Sequence, residues 1–186
     1  EELNKEMNKI STLGSTMNES AFSEVTDYIP TGNYHLNACM TGSIFKGVPN
    51  NRAICFAGSS GTGKTFLLLN AIREAQAKGY YIIFYDSEAA VDKELMEKFD
   101  IDTSRVRYEP CATVQEFRTS VTNLTESLIT NKRKGTEIPK IMIALDSAGN
   151  LATLKELDDA QSGSTKADMS RAKIMNSIFR ILMNRL

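Results

Sequence analysis

Eight consecutive residues constrain this chain more than any others: Gly58-Ser59-Ser60-Gly61-Thr62-Gly63-Lys64-Thr65. They fit the pattern G-x-x-x-x-G-K-[ST] without a mismatch. The apolar run Ala53–Ala57 precedes them and predicts a strand. Thr65–Lys78 follows, with Phe66, Leu69 and Ile72 on one helical face and Gly79 at the expected stop. Glycines let backbone N–H groups wrap phosphate oxygens, and the helix N-terminus adds partial positive charge. Lys64 sets an ammonium against the β- and γ-phosphates, and the Thr65 hydroxyl is suited to ligate Mg²⁺. The expected ligands are ATP and Mg²⁺, cradled by Gly58, Ser59, Ser60, Gly61, Thr62, Gly63, Lys64 and Thr65.

Beyond the loop, apolar runs alternate with helical patterns. Strands are expected at Tyr80–Tyr85, Val106–Tyr108 and Ile141–Leu145. Helices are expected at Asp92–Phe99, Val114–Thr130 and Asp168–Leu186. Strands apolar on both faces, alternating with helices, predict an α/β fold: a mostly parallel sheet flanked by helices. Residues 29–186 form the expected ATPase core. Residues 1–28 form a polar N-terminal segment in which Leu3, Met7 and Ile10 have helical spacing. Between Tyr28 and Asn51, Gly32, Gly42, Gly47 and Pro49 read as turns around short extended pieces.

Two carboxylates fall where a phosphate site needs them. Asp146 ends the strand Ile141–Leu145, the Walker B position, where an Asp holds the magnesium. Glu88 lies just past Tyr80–Tyr85. Ligands collect at the carboxyl ends of parallel strands, so both acids should converge on the loop. A carboxylate there can accept the proton of an attacking water, which makes Glu88 and Lys64 the catalytic candidates.

Composition narrows the partners. The chain has 186 residues, 22 Lys and Arg against 23 Asp and Glu, and a net charge of -1, so any nucleic-acid contact must come from a local patch. Cys39, Cys55 and Cys111 form no CxxC pair, and with only His35 to help they argue against a zinc site. Cys55 reads as a core residue. The thiols fit a reducing, cytosol-like compartment, and no apolar stretch has the length of a membrane span.

Three later segments resemble RecA-family recombinases, most nearly the phage UvsX type. Phe84-Tyr85-Asp86-Ser87-Glu88-Ala89-Ala90-Val91-Asp92 is similar to the segment carrying the family's catalytic glutamate. Leu145-Asp146-Ser147-Ala148-Gly149-Asn150-Leu151 resembles its Walker B strand and turn. Ala167-Asp168-Met169-Ser170-Arg171-Ala172-Lys173, continuing through Phe179-Arg180, extends the likeness. The resemblance implies a DNA-dependent ATPase that filaments on single-stranded DNA for recombination and repair. It makes Glu88 the general base, puts Asp92 near the adenine edge, and sets Ser147 near the γ-phosphate. Leu95 stands where bacterial members place a stacking aromatic ring.

Residues 154–168 correspond to the family's first DNA-binding loop. That loop contains Lys155 and Lys166 but also Glu156, Asp158, Asp159 and Asp168. Lys166, together with Arg171, Lys173 and Arg180 beyond the loop, is the local source of positive charge for DNA. Lys173 and Arg180 share a helix face, and Arg171 points elsewhere. The N-terminal segment is implied to dock on an adjacent protomer. Family topology also implies a further strand between the P-loop strand and the Walker B strand, and none follows Ile141–Leu145. The expectation is therefore a RecA-like core lacking its C-terminal strands, weakly stable and poor at strand exchange by itself. A RecA-fold helicase, another P-loop ATPase, a nucleotide-phosphate kinase and a passive nucleotide binder are the alternative readings.

Overall fold

A computed structural model describes residues 2–10, 25–162 and 170–183. In chain order the elements are α1 (Glu2–Ile10), β1 (Tyr28–Ile29), α2 (Tyr34–Thr41), β2 (Val48–Pro49), α3 (Lys64–Ala77), β3 (Tyr81–Asp86), α4 (Lys93–Lys98), β4 (Val106–Pro110), α5 (Val114–Arg133), β5 (Ile141–Asp146), α6 (Leu154–Ser162) and α7 (Ser170–Met183). The expected α/β architecture is present. A parallel sheet in the order β4-β3-β5 carries helices on both faces, and β1 and β2 form a separate antiparallel pair.

The sheet is built around β3. Successive strand residues point to opposite faces. Ile82 and Phe84 therefore enter one core with Leu69 and Ile72 of α3 and Met96 of α4. Ile83 and Tyr85 enter the other with Val114, Phe117 and Val121 of α5 and Ile178 and Leu182 of α7. Residues 82 to 86 are all buried, which is why this strand reads as a continuous apolar run. Thr113 starts α5 with a full capping box: its side chain accepts from the Glu116 N–H, and Glu116 accepts from the Thr113 N–H.

At the end of the sheet where its strands begin, Asp27 joins four segments. Its carboxylate accepts from Lys78 at 2.7 Å, Lys140 at 2.9 Å and the Tyr80 hydroxyl at 3.2 Å, and its own N–H donates to Asn50. The Lys78 contact, then the Lys140 contact, hold the Asp27 carboxyl well below the usual carboxylate range. Burial, reinforced by Asp27, pushes the Tyr80 hydroxyl up to about 12.

Several expectations are corrected. The run 53–57 is not a strand, and apart from half-buried Phe56 its residues are exposed, Cys55 included. A ladder needs a neighbour offering donors and acceptors. Among the described residues no strand lies beside this run, and β5 pairs only with β3. The region read as turns contains α2, which Asn33 caps by accepting from the Leu36 N–H. Buried Asn37 ties this region together by accepting from Thr31 and donating to the Ile44 carbonyl. His35 is exposed on α2. Residues 154–162, read as loop, form α6, started by Thr153 and Glu156 in a mutual cap like that of α5. Phe66 leaves the apolar face of α3 and stays 58% exposed, edge-on to Phe99. Lys166 and residues 11–24 lie outside the described residues.

Candidate active site

Parallel strands end together, and here two acids end them. Asp86 of β3 and Asp146 of β5 are register partners, both buried. The loop 58–65 meets this end through α3. Gly61 and Gly63 adopt left-handed φ values of 76° and 84°, and Gly63 is the N-cap of α3. A side chain would strain both positions. At Gly58 an added Cβ would lie 2.8 Å from the Thr62 hydroxyl, which would have to shift from its bond to the Ser59 carbonyl.

The cradle is knitted by its own side chains. The Thr62 hydroxyl donates to the Ser59 carbonyl at 2.8 Å. The Lys64 ammonium donates to the carbonyls of Gly58 at 3.0 Å and Ser59 at 2.8 Å. The Thr65 hydroxyl donates to Asp146 Oδ2 at 2.7 Å, bridging α3 to the end of β5. Thr65 and Asp146 thus offer adjacent hard oxygens. Among the described residues no group of three or more His, Cys, Asp or Glu converges on a metal. Such a sparse oxygen set fits Mg²⁺, which takes one or two protein oxygens and completes its shell with phosphate and water.

Glu88 is fixed from β5. Ser147 Oγ donates to Glu88 Oε1 at 2.6 Å. Ser87 and Ser147 exchange two further bonds: Ser87 Oγ donates to the Ser147 carbonyl at 2.8 Å, and the Ser147 N–H donates to Ser87 Oγ at 3.0 Å. The Ser87 N–H also reaches the Asp146 carbonyl at 2.9 Å. The turns after β3 and β5 are therefore one hydrogen-bonded unit.

Asp92 caps α4, accepting from the Leu95 N–H at 2.7 Å. Leu95 is half-buried against the core. Arg171 donates to the Gly149 carbonyl at 3.0 Å, which ties the start of α7 to the loop after β5. Lys173 and Arg180 are exposed farther along α7. The structure thus gathers Lys64, Thr65, Glu88, Asp146 and Ser147, with Arg171 attached through the β5 loop and Asp92 set at α4.

Sequence reasoning passed over Asp86 and Tyr108. Asp86 Oδ1 accepts from the N–H groups of Glu88 and Ala89, and Oδ2 accepts from the Tyr108 hydroxyl at 3.0 Å. The available signal was an Asp two residues before Glu88 at a strand end, where Asp side chains cap their own turn. Nothing in the sequence announced Tyr108, whose contact is cross-strand. Burial, then Asp86, raises its hydroxyl above the ordinary tyrosine range. Cys111 nearby is buried, which pushes its thiol up to about 11.

The recombination and repair protein of enterobacteria phage T4 is 28% identical over 174 residues, covering 92% of this chain and 42% of the relative. Protein RecA of Bartonella quintana is 31% identical over 158 residues, covering 82% of this chain and 42% of that protein. Protein RecA of Acidothermus cellulolyticus is 35% identical over 80 residues, 43% of this chain and 22% of its own length. The chain therefore spans at most about two fifths of these relatives. The family model for the RecA N-terminal domain matches residues 1–186. Since that match runs from the first residue to the last, the chain belongs to the RecA N-terminal domain family.

Proposed function

We propose that this chain is the ATPase core of a recombinase that filaments on single-stranded DNA, coupling ATP hydrolysis to homologous pairing and strand exchange. The observation that carries the reading is the unit formed by Thr65–Asp146 and Ser147–Glu88, which joins the phosphate loop to an acid across two strand ends. Membership of the RecA N-terminal domain family supports it.

In this reading Gly58 to Thr65 wrap the triphosphate of ATP, and Lys64 exchanges its two carbonyl partners for β- and γ-phosphate oxygens. Thr65 and Asp146 hold Mg²⁺, which neutralises charge on those phosphates when bound. Glu88 accepts a proton from water as the water oxygen bonds to the γ-phosphorus. The bond to the β–γ bridging oxygen breaks, and ADP leaves with that electron pair. Ser147 holds one oxygen of Glu88 and leaves the second for the water.

The wider assignments belong to the same proposal. Asp92 lies at the adenine side. Lys166, Arg171, Lys173 and Arg180 make up the DNA-facing charge, with Lys173 and Arg180 the exposed cationic face of α7. Residues 1–28 act in assembly: α1 carries exposed Leu3, Met7 and Ile10 on one face, a stripe suited to docking on an adjacent protomer. No described helix is long and apolar enough to cross a membrane, and the proposed setting is the cytoplasm.

The test is ATP hydrolysis by the full-length protein with and without single-stranded DNA, followed by electron microscopy with ATP. DNA-stimulated release of phosphate and helical filaments are expected. Rings in place of filaments would favour a helicase. A phosphorylated nucleoside in place of free phosphate would make it a kinase.

A further inference from the structure

Asp86 takes no part in the chemistry just described, yet its carboxylate is closely engaged. It is 4% exposed. Its Oδ1 accepts from the Glu88 N–H at 2.9 Å and the Ala89 N–H at 2.8 Å. Its Oδ2 accepts from the Tyr108 hydroxyl at 3.0 Å. The backbone it restrains needs restraining, because Ala89 has φ 51°, in the left-handed region that non-glycine residues avoid. Both N–H groups it binds belong to the turn that carries Glu88.

Tyr108 stands behind this contact. Its ring stacks on Phe84 of β3, with centroids 6.4 Å apart and planes 17° apart, and the residue is 48% exposed. The hydroxyl is not required for burial, and its bond to Asp86 fixes which way the carboxylate faces. β4 thereby takes part in the geometry of a site to which it contributes no reacting group.

We propose that Asp86, held by Tyr108, is a positioning residue for Glu88: it sets the turn after β3 so that the Glu88 carboxylate meets Ser147 and the end of β5. The inference rests on the reading of Glu88 as general base. Asp86 sets where Glu88 stands and leaves nucleotide affinity to the loop 58–65. Small displacements of a reacting group, on the order of 1 Å, cost up to about a hundredfold in rate.

Tyr108→Phe, Asp86→Asn and Asp86→Ala in the full-length protein test it, with kcat for ATP hydrolysis measured beside the Kd for ATP. All three should lower kcat and leave Kd unchanged. Tyr108→Phe should be mildest. Asp86→Asn should be intermediate, because its amide oxygen still accepts from the two N–H groups while its NH₂ donates to the Tyr108 hydroxyl. Asp86→Ala should be most severe, roughly 10- to 100-fold. In a Glu88→Gln background Asp86→Ala should add nothing, because the base it positions is gone.

An unchanged kcat in Tyr108→Phe overturns the proposal, even where Asp86→Ala does not fold. Parallel loss of kcat and Kd overturns it by making Asp86 a general scaffold residue. Multiplying losses with Glu88→Gln overturn it as well. If Glu88→Gln alone hydrolyses ATP at the wild-type rate, the base assignment itself falls and the proposal falls with it. A slow Glu88→Gln beside fully active Asp86 and Tyr108 variants would remove only the positioning role.

Discussion

Lys64 shows how much a single side chain can carry. Its ammonium is already held by two carbonyls of its own loop, so the residue shapes the cradle as well as supplying charge. Lys64→Ala should weaken ATP binding by roughly 2 to 3 kcal/mol, about a hundredfold in Kd. Calorimetry checks this, and equal affinity would end the phosphate-loop assignment. Glu88→Gln should separate from it. The amide still accepts from Ser147 but cannot take a proton. ATP·Mg²⁺ binding should persist while hydrolysis slows roughly 10²- to 10⁴-fold. Wild-type turnover would mean that another group is the base. Both residues were legible in the sequence, Lys64 from the motif and Glu88 from its place after a strand. Ser147 was legible only through family resemblance. The Asp86–Tyr108 contact was not legible, because cross-strand neighbours depend on register, which one sequence does not state.

At the scale of elements, α7 divides its surface between core and solvent. Ile178 and Leu182 turn inward against α5. Lys173 and Arg180, seven residues apart, share an exposed face. Replacing both with alanine should weaken single-stranded DNA binding, and each lost phosphate contact should lower the log–log salt slope by about 0.7. Arg171 should behave differently, since it is tied to the Gly149 carbonyl. A salt titration identical to wild type for the double variant would move the DNA surface elsewhere. Elements with strong local signals were readable: α5 from its apolar spacing, β3 from its apolar run. The run 53–57 was misread because its residues favour a strand while a strand exists only beside another. Helix α6 was missed because residues 154–168 were assigned by their correspondence to a DNA-binding loop, and the Thr153–Glu156 cap that starts the helix was not read.

For the whole molecule, the end of the sheet opposite the phosphate loop sets the acid limit. Asp27 binds Lys78, Lys140 and Tyr80, and its folded-state pKa lies below its unfolded value near 3.9. A depressed carboxylate stabilises the fold fully above the unfolded pKa and loses that contribution as pH falls through the folded one. Stability should therefore decline below about pH 4. Asp27→Asn should cost about 1 to 2 kcal/mol at pH 7 and flatten the decline below that pH. Denaturant unfolding at pH 7 and in acid measures both, and an equal acid slope in the variant would assign the decline to other carboxylates. The six-rung ladder between β3 and β5 has a consequence of its own, since it ends on the pair Asp86–Asp146. Glu88 belongs to one rail and the Thr65 partner to the other. A slip of one rung would carry Asp146 and Ser147 away together and turn each to the wrong side of the sheet. The working distance between the two halves of the site is thus a count of peptide units, with the fold acting as a vernier that only integer steps can misset.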